Sequence, residues 1–209
     1  MARSSCTMKG KYSPYNGAIT QEQFLFYEMR TTAGLMTECT LEDEVISRII
    51  EENLYQYPSE RSLRKVALGC VRRLRALDDM SLVEVIATQP FDVAKQVCLY
   101  AMMKQNRLVC DFMLTVIGEK YRTHDNSFSK ADLNAFFLRL QEQDDKVAGW
   151  SDSTITKIKQ VLKRILLENG YLEKGKEDRL FPVLLHFVLE NALRNNGDER
   201  MLPAFNQFA

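Results

Sequence analysis

Between Trp150 and Pro182 the sequence reads WSDSTITKIKQVLKRILLENGYLEKGKEDRLFP, and no other stretch restricts the fold as strongly. Ser151 and Ser153 both offer a side-chain oxygen to the free N–H groups of a helix start. Ile155, Ile158, Val161, Leu162, Ile165 and Leu166 then recur at helical spacing and make one apolar stripe. Gly170, after Asn169, fits the left-handed residue that closes a helix. Tyr171-Leu172-Glu173 and Arg179-Leu180-Phe181 are short strand candidates around a polar, glycine-containing turn from Lys174 to Asp178. A helix followed by a small β-hairpin is the order in which a winged helix-turn-helix ends, with the recognition helix before the wing.

The polar side of that helix carries Ser153, Thr156, Lys157, Gln160, Lys163 and Arg164. Such donors suit phosphate oxygens and base edges, and Lys176 would add a cation from the wing. A plain solvated lysine face has the same composition, so both readings stand on this stretch alone.

A second stretch, Ser59 to Leu77, reads SERSLRKVALGCVRRLRAL. Leu63, Val66, Ala67, Cys70, Leu74 and Leu77 share one side. Arg61, Arg64, Lys65, Arg72 and Arg75 fall on the other, with Arg73 flanking them. No acidic residue lies between Arg61 and Leu77, although solvated helices usually mix signs to gain pairs one turn apart. This stripe fits a nucleic-acid backbone, an acidic partner protein, or the acidic helix just before it, Glu42 to Glu52.

The 209 residues allow one or two domains. The formal charge is zero, from 28 basic and 28 acidic residues, so bulk charge says nothing about nucleic acid and only local patches can. The five cysteines form no C-x-x-C pair, which fits a reducing cytoplasm better than a disulfide scaffold. The first fifteen residues lack the apolar core of a secretory signal, and no run reaches the ~18 apolar residues of a membrane span.

The remaining expectations follow in chain order. Residues 1–14 form a flexible arm. A deep helix runs from Thr20 to Leu35 and ends near Gly34. Thr40 caps the acidic helix, and Asn53 to Pro58 is a connector. Ser81 to Glu84 is a capping box, and Pro90 opens a helix to Gln105. Another helix spans Arg107 to Arg122. Thr123 to Phe128 is the best domain boundary. Ser129 caps a scaffold helix to Gln143, with Asp132 in the capping-box place, and Asp144 to Gly149 is a turn. A last helix runs from Leu184 to Asn195, stopped near Gly197, before a tail whose Leu202, Phe205 and Phe208 can dock on the fold.

Catalytic signatures are absent from the sequence. The two histidines, His124 and His186, are separated, and no His, Cys or carboxylate set has metal-ligand spacing. There is no glycine-rich phosphate loop and no G-x-S-x-G. Asp111 with Glu119-Lys120 matches a nuclease D…E-x-K pattern but lacks its strand context. A non-enzymatic binding protein without cofactor or metal is expected.

Several segments together resemble the BrxA family of BREX bacteriophage-defence proteins. They are Ala18 with Phe24 to Glu28; Asn53-Leu54 with Ser59 to Arg75; Arg107-Leu108, Asp111-Phe112 and Tyr121-Arg122; and Trp150-Ser151-Asp152-Ser153-Thr154 with Lys157 and Gly170-Tyr171-Leu172. Each motif is short, and their order over Tyr12 to Pro182 carries the likeness. The resemblance implies a helical, DNA-binding accessory without a reaction of its own. In BREX systems, which block phage replication and mark host DNA by methylation, other components supply the methyltransferase and ATPase activities. Some family members resemble the RNA-binding antitermination factor NusB in their helical part. Members have also been called inner-membrane proteins, a label this sequence does not support physically.

The sequence therefore predicts a mostly α cytoplasmic protein in two parts. Residues 15–124 form a helical bundle with the basic helix, and residues 126–209 a winged-helix-like unit with a small β-hairpin. The expected partners are double-stranded DNA and other BREX proteins, with no membrane. The expected DNA contacts are Arg61, Arg64, Lys65, Arg72, Arg75, Ser153, Thr156, Lys157, Lys163 and Lys176. A protein–protein adaptor that meets an acidic partner through the stripe, with Leu68 in its middle, is the competing reading. RNA binding is a third, weakened because no exposed aromatic platform is evident.

Overall fold

Helix formation along this chain follows its caps and stripes. The computed structural model describes residues 14–21, 23–39, 41–176 and 178–208. In order, the helices are α1 (Phe26–Glu38), α2 (Glu42–Glu51), α3 (Glu60–Arg75), α4 (Met80–Thr88), α5 (Phe91–Gln105), α6 (Arg107–Phe112), α7 (Glu119–Arg122), α8 (Lys130–Gln143), α9 (Asp145–Ala148), α10 (Asp152–Glu168) and α11 (Phe187–Asn195). A π-helical stretch, Met113–Gly118, joins α6 to α7, and short 3-10 turns cover Ala18–Thr20 and Glu199–Phe205. The protein is mostly helical, and among the described residues strand pairing is limited to isolated bridges.

One apolar core runs from Tyr15 to Phe205 and takes side chains from both halves of the chain. A smaller cluster seats Val45, Ile46 and Ile49 of α2 against Leu35 of α1 and Leu63, Ala67 and Val71 of α3. The π-helical stretch meets the C-terminal 3-10 turn. There a Cβ on Gly118 would come to 3.0 Å from Pro203, so glycine lets the tail dock without a shift of the Pro203 backbone. Leu202 and Phe205 are buried in that tail, while Phe208 stays exposed.

Several expected details are met. Ser59 caps α3 by accepting from Ser62, and Ser129 with Asp132 forms a reciprocal capping box on α8. Ser151 caps α10 by accepting from Thr154. Gly170, at φ 76°, closes α10, with Tyr171 N–H bonded to the Leu166 carbonyl at 2.9 Å and Gly170 N–H to that of Leu167 at 3.3 Å.

Other expectations are corrected. The first helix begins at Phe26 rather than Thr20 and runs through Gly34 to Glu38, because Leu25 is left-handed and Arg73 takes the Gln23 and Phe24 carbonyls. The cap of α4 is Asp79, not Ser81, since its carboxylate accepts from Ser81 N–H at 2.9 Å. The turn after α8 contains the single helical turn α9. The last helix starts at Phe187, because Gln96 clamps the preceding segment by donating to the Leu184 carbonyl and accepting from His186 N–H. The two-stranded hairpin does not form as a ladder. Glu173 pairs with Lys176 in a tight turn, and Phe181 N–H reaches the Tyr171 carbonyl. The second arm then uses its backbone groups on the segment before α8, with Leu180 N–H to Asn126 O at 2.7 Å and Phe128 N–H to Asp178 O at 2.8 Å. Residues 1–13 of the expected 1–14 arm, the Thr40 cap and Glu177 of the turn lie outside the described residues.

Candidate nucleic-acid interface

One segment, residues 16–21 with 23–25, takes contacts from both α3 and α10. Its position is fixed from α3 by Arg73, which is 1% exposed. The Arg73 guanidinium donates to the carbonyls of Gln23 at 2.6 Å and Phe24 at 3.1 Å. A buried cation is tolerable only when such acceptors surround it. Arg73 is thus an anchor of the fold and not a flank of the exposed stripe. On the other side, Gly17 lies against Thr154 and Ile158 of α10, and the 3-10 turn packs on that helix.

Two exposed cations grip the same segment. Lys65 of α3 hydrogen-bonds the Gln21 side chain, and Arg164 of α10 donates to the Gln23 side-chain oxygen at 2.5 Å. The two glutamines are two positions apart, so this ridge takes one cation from each basic helix.

The other expected contacts distribute around it. Arg61, Arg64, Arg72 and Arg75 are exposed on α3. Arg64 lies 3.5 Å from Glu60 within its own helix, and Arg75 pairs with Glu42 of α2. The acidic helix therefore relieves one end of the stripe. Arg72 lines a small hollow of about 220 Å³ with Asn16, Ala18, Ile19 and Asn106. On α10, Ser153, Thr156 and Lys157 are exposed and Lys163 is half-buried. Lys176 stands in the turn after α10, 3.1 Å from Glu173.

Beside the ridge is a groove of about 670 Å³ lined by Gln21, Gln23, Phe26, Tyr27, Glu28, Tyr57, Lys65, Lys95 and Glu168, among others. Burial raises the Glu168 carboxyl above its ordinary pKa, against the pull of Arg164 and Lys95. Sequence reasoning placed Arg164 on the polar face but did not select it, and missed Lys95 altogether. No local signal could have found Lys95, because the groove it lines is assembled from α1, α3, α5 and α10.

The D…E-x-K residues serve separate ties. Asp111 accepts from Tyr15 OH at 2.5 Å and from Arg107 at 3.3 Å. Glu119 pairs with Arg122, and Lys120 with Asp125 and Asp132. His186 caps α11, and His124 occupies a left-handed loop position. Among the described residues no group of three or more His, Cys, Asp or Glu is placed to hold a metal ion, and no helix is long and apolar enough to cross a membrane.

The BrxA family model matches residues 13–197 of this chain. A BREX protein BrxA from Bacillus cereus is 36% identical over 190 residues, covering 90% of this chain and 94% of its own length. Another, from Paramagnetospirillum magneticum, is 26% identical over 175 residues, covering 84% and 87%. The crystal structure of an uncharacterized protein from Magnetospirillum magneticum has the same fold, with a TM-score of 0.77, 25% identity, and coverage of 92% of this chain and 98% of that one.

Proposed function

This chain belongs to the BrxA family, and from that membership we infer that it is a non-enzymatic, cytoplasmic accessory of a BREX defence system that binds duplex DNA, chiefly through phosphates. The observation that carries this reading is the shared ridge. Lys65 and Arg164 reach glutamines two positions apart, so the exposed cations of α3 and the polar face of α10 flank one surface. A duplex laid across it would meet Arg61, Arg64, Lys65, Arg72 and Arg75 from one helix, and Ser153, Thr156, Lys157, Lys163 and Arg164 from the other. These donors position a backbone and read little sequence.

The C-terminal half supports a winged-helix-like reading of the same surface. Residues 126–128 bridge to residues 178–180 ahead of α8, α10 follows, and the Glu173–Lys176 turn stands after it. That order of helix, short strand, two helices and returning arm matches a winged unit reduced to single bridges. In this arrangement α10 is the recognition helix, Lys176 sits in the wing, and residues 15–124 form the bundle that carries α3.

The test is charge reversal on each face. Arg64→Glu with Arg72→Glu, and Lys157→Glu with Lys163→Glu, should each weaken binding to a short duplex. Unchanged affinity in the first pair would remove α3 from the interface. Leu68, 43% exposed within the stripe, favours a second reading in which α3 meets an acidic protein of the same defence system. Unchanged DNA binding with lost association to such a protein would select it.

A further inference from the structure

At the mouth of the groove two aromatic rings stand clear of the fold. Tyr27 is 71% exposed and Phe91 is 51% exposed. Their rings meet edge to face at 6.4 Å, and each contacts the buried Phe26 ring at 5.5 Å. A single exposed aromatic needs no explanation, but here two touching rings from different helices leave their apolar surface in water together.

Cations frame this pair. The Arg30 guanidinium lies 5.0 Å over the Phe91 ring and donates to the Gln89 carbonyl at 2.8 Å. The Lys95 ammonium lies 5.5 Å over Phe26. Lys65 lines the same groove as Tyr27 and belongs to the ridge described above. Two carboxylates oppose them. Glu28 accepts from Tyr57 OH at 2.8 Å, and Glu168 sits near Arg164 and Lys95.

We propose that Tyr27 and Phe91 form a stacking platform for unpaired bases of a DNA strand, with Arg30, Lys95 and Lys65 meeting the flanking phosphates. The proposal rests on the DNA-binding reading and extends it to strands that expose base faces. Aromatic faces beside cations are the chemistry that binds single strands without sequence preference, because every base offers a π-face. A closed duplex offers none in its interior, so the platform adds affinity only where a strand is open. An acidic protein could also cover an aromatic patch. Continuity with Lys65 and Arg164, and the Arg30 guanidinium at the Phe91 ring, favour the polyanion with flat bases.

The experiment compares the full chain on an intact duplex and on the same duplex with a short single-stranded gap carrying a fluorescent base analogue. The expected result is tighter binding to the gapped form by about tenfold, with the analogue quenched by stacking. Tyr27→Ala should remove that preference and the quenching while leaving intact-duplex affinity unchanged. Tyr27→Phe should retain both, since it keeps the ring. Equal affinity of the wild type for the two DNAs, with duplex binding present, overturns the platform alone. Binding to neither DNA overturns the platform and the duplex reading together. Unchanged gap preference in Tyr27→Ala, or an equal loss on both DNAs, also overturns the platform.

Discussion

Arg164 and Gln23 lie 141 residues apart in sequence, yet the guanidinium donates to the glutamine side chain at 2.5 Å. Lys65 makes the corresponding contact to Gln21 from the opposite helix. Residues 16–21 with 23–25 thereby become a seam that both basic helices touch, and both cations remain exposed. In the proposed DNA-binding mode this seam lets the two same-sign faces act as one surface.

If both cations meet phosphate, Arg164→Gln and Lys65→Gln should each lower the slope of log affinity against log salt by about one. The fold should hardly notice, with stability changed by no more than about 0.5 kcal/mol at these exposed positions. Fluorescence anisotropy across a salt series, with thermal melts of each variant, checks both halves of the expectation.

Arg73 should behave in the opposite way. Arg73→Met leaves the Gln23 and Phe24 carbonyls without their charged donor inside the fold, at a cost on the order of 3 kcal/mol. Chemical denaturation should show the loss directly. DNA affinity of the folded fraction should also fall, because residues 16–21 with 23–25 lose the anchor that sets the seam.

Acid should dissolve a different tie. Lys120 bridges Asp125 at 2.7 Å and Asp132 at 2.9 Å, joining the end of α7 to the start of α8. The Lys120 hydrogen bond, with those from Ser127, holds Asp125 well below the usual carboxylate range. Burial pushes Asp132 up, but hydrogen bonds from Lys120 and Ser129 outweigh it and leave its pKa lowered. Folded pKa values below the unfolded ones mean stability that is present above about pH 4 and lost as pH falls through the folded values. Lys120→Met should therefore lower the urea midpoint at neutral pH, and the gap from wild type should narrow below about pH 4.

Glu168 has the reverse sign. Burial raises its pKa, so its contribution to stability is largest below about pH 4 and is lost as pH rises through the raised folded value. Glu168→Gln should raise the melting temperature at neutral pH, with the difference fading in acid. It also removes a negative charge beside Arg164 and Lys95, so duplex affinity should rise about twofold. Melting curves at two pH values and one binding isotherm are sufficient.

The sequence made local features legible where one side chain decides the geometry. Ser59, Ser129 with Asp132, Ser151 and Gly170 mark their helix ends through bonds to near neighbours, and each does so in the fold. Non-local demand hid the rest. The first helix starts late because Arg73, fifty residues on, takes the carbonyls that an earlier turn would have used. The wing strands shrink to bridges because the second arm uses its backbone on residues 126–128, with Leu180 N–H to Asn126 and Phe128 N–H to Asp178. Phe24, Leu25, Phe26, Tyr27 and Met29 make the expected helix apolar around much of its surface, which concealed the exposure of Tyr27. The acidic helix reaches the basic stripe at Arg75, and the apolar cluster, more than charge, holds those two helices together.

The most direct measurement is the salt dependence of binding to a short intact duplex, for the wild type and for Arg64→Glu with Arg72→Glu. The account predicts a steep linear fall of log affinity with log salt, on the order of several phosphate contacts, and a shallower, weaker line for the variant. No duplex binding at low salt, or identical lines for both proteins, would contradict it.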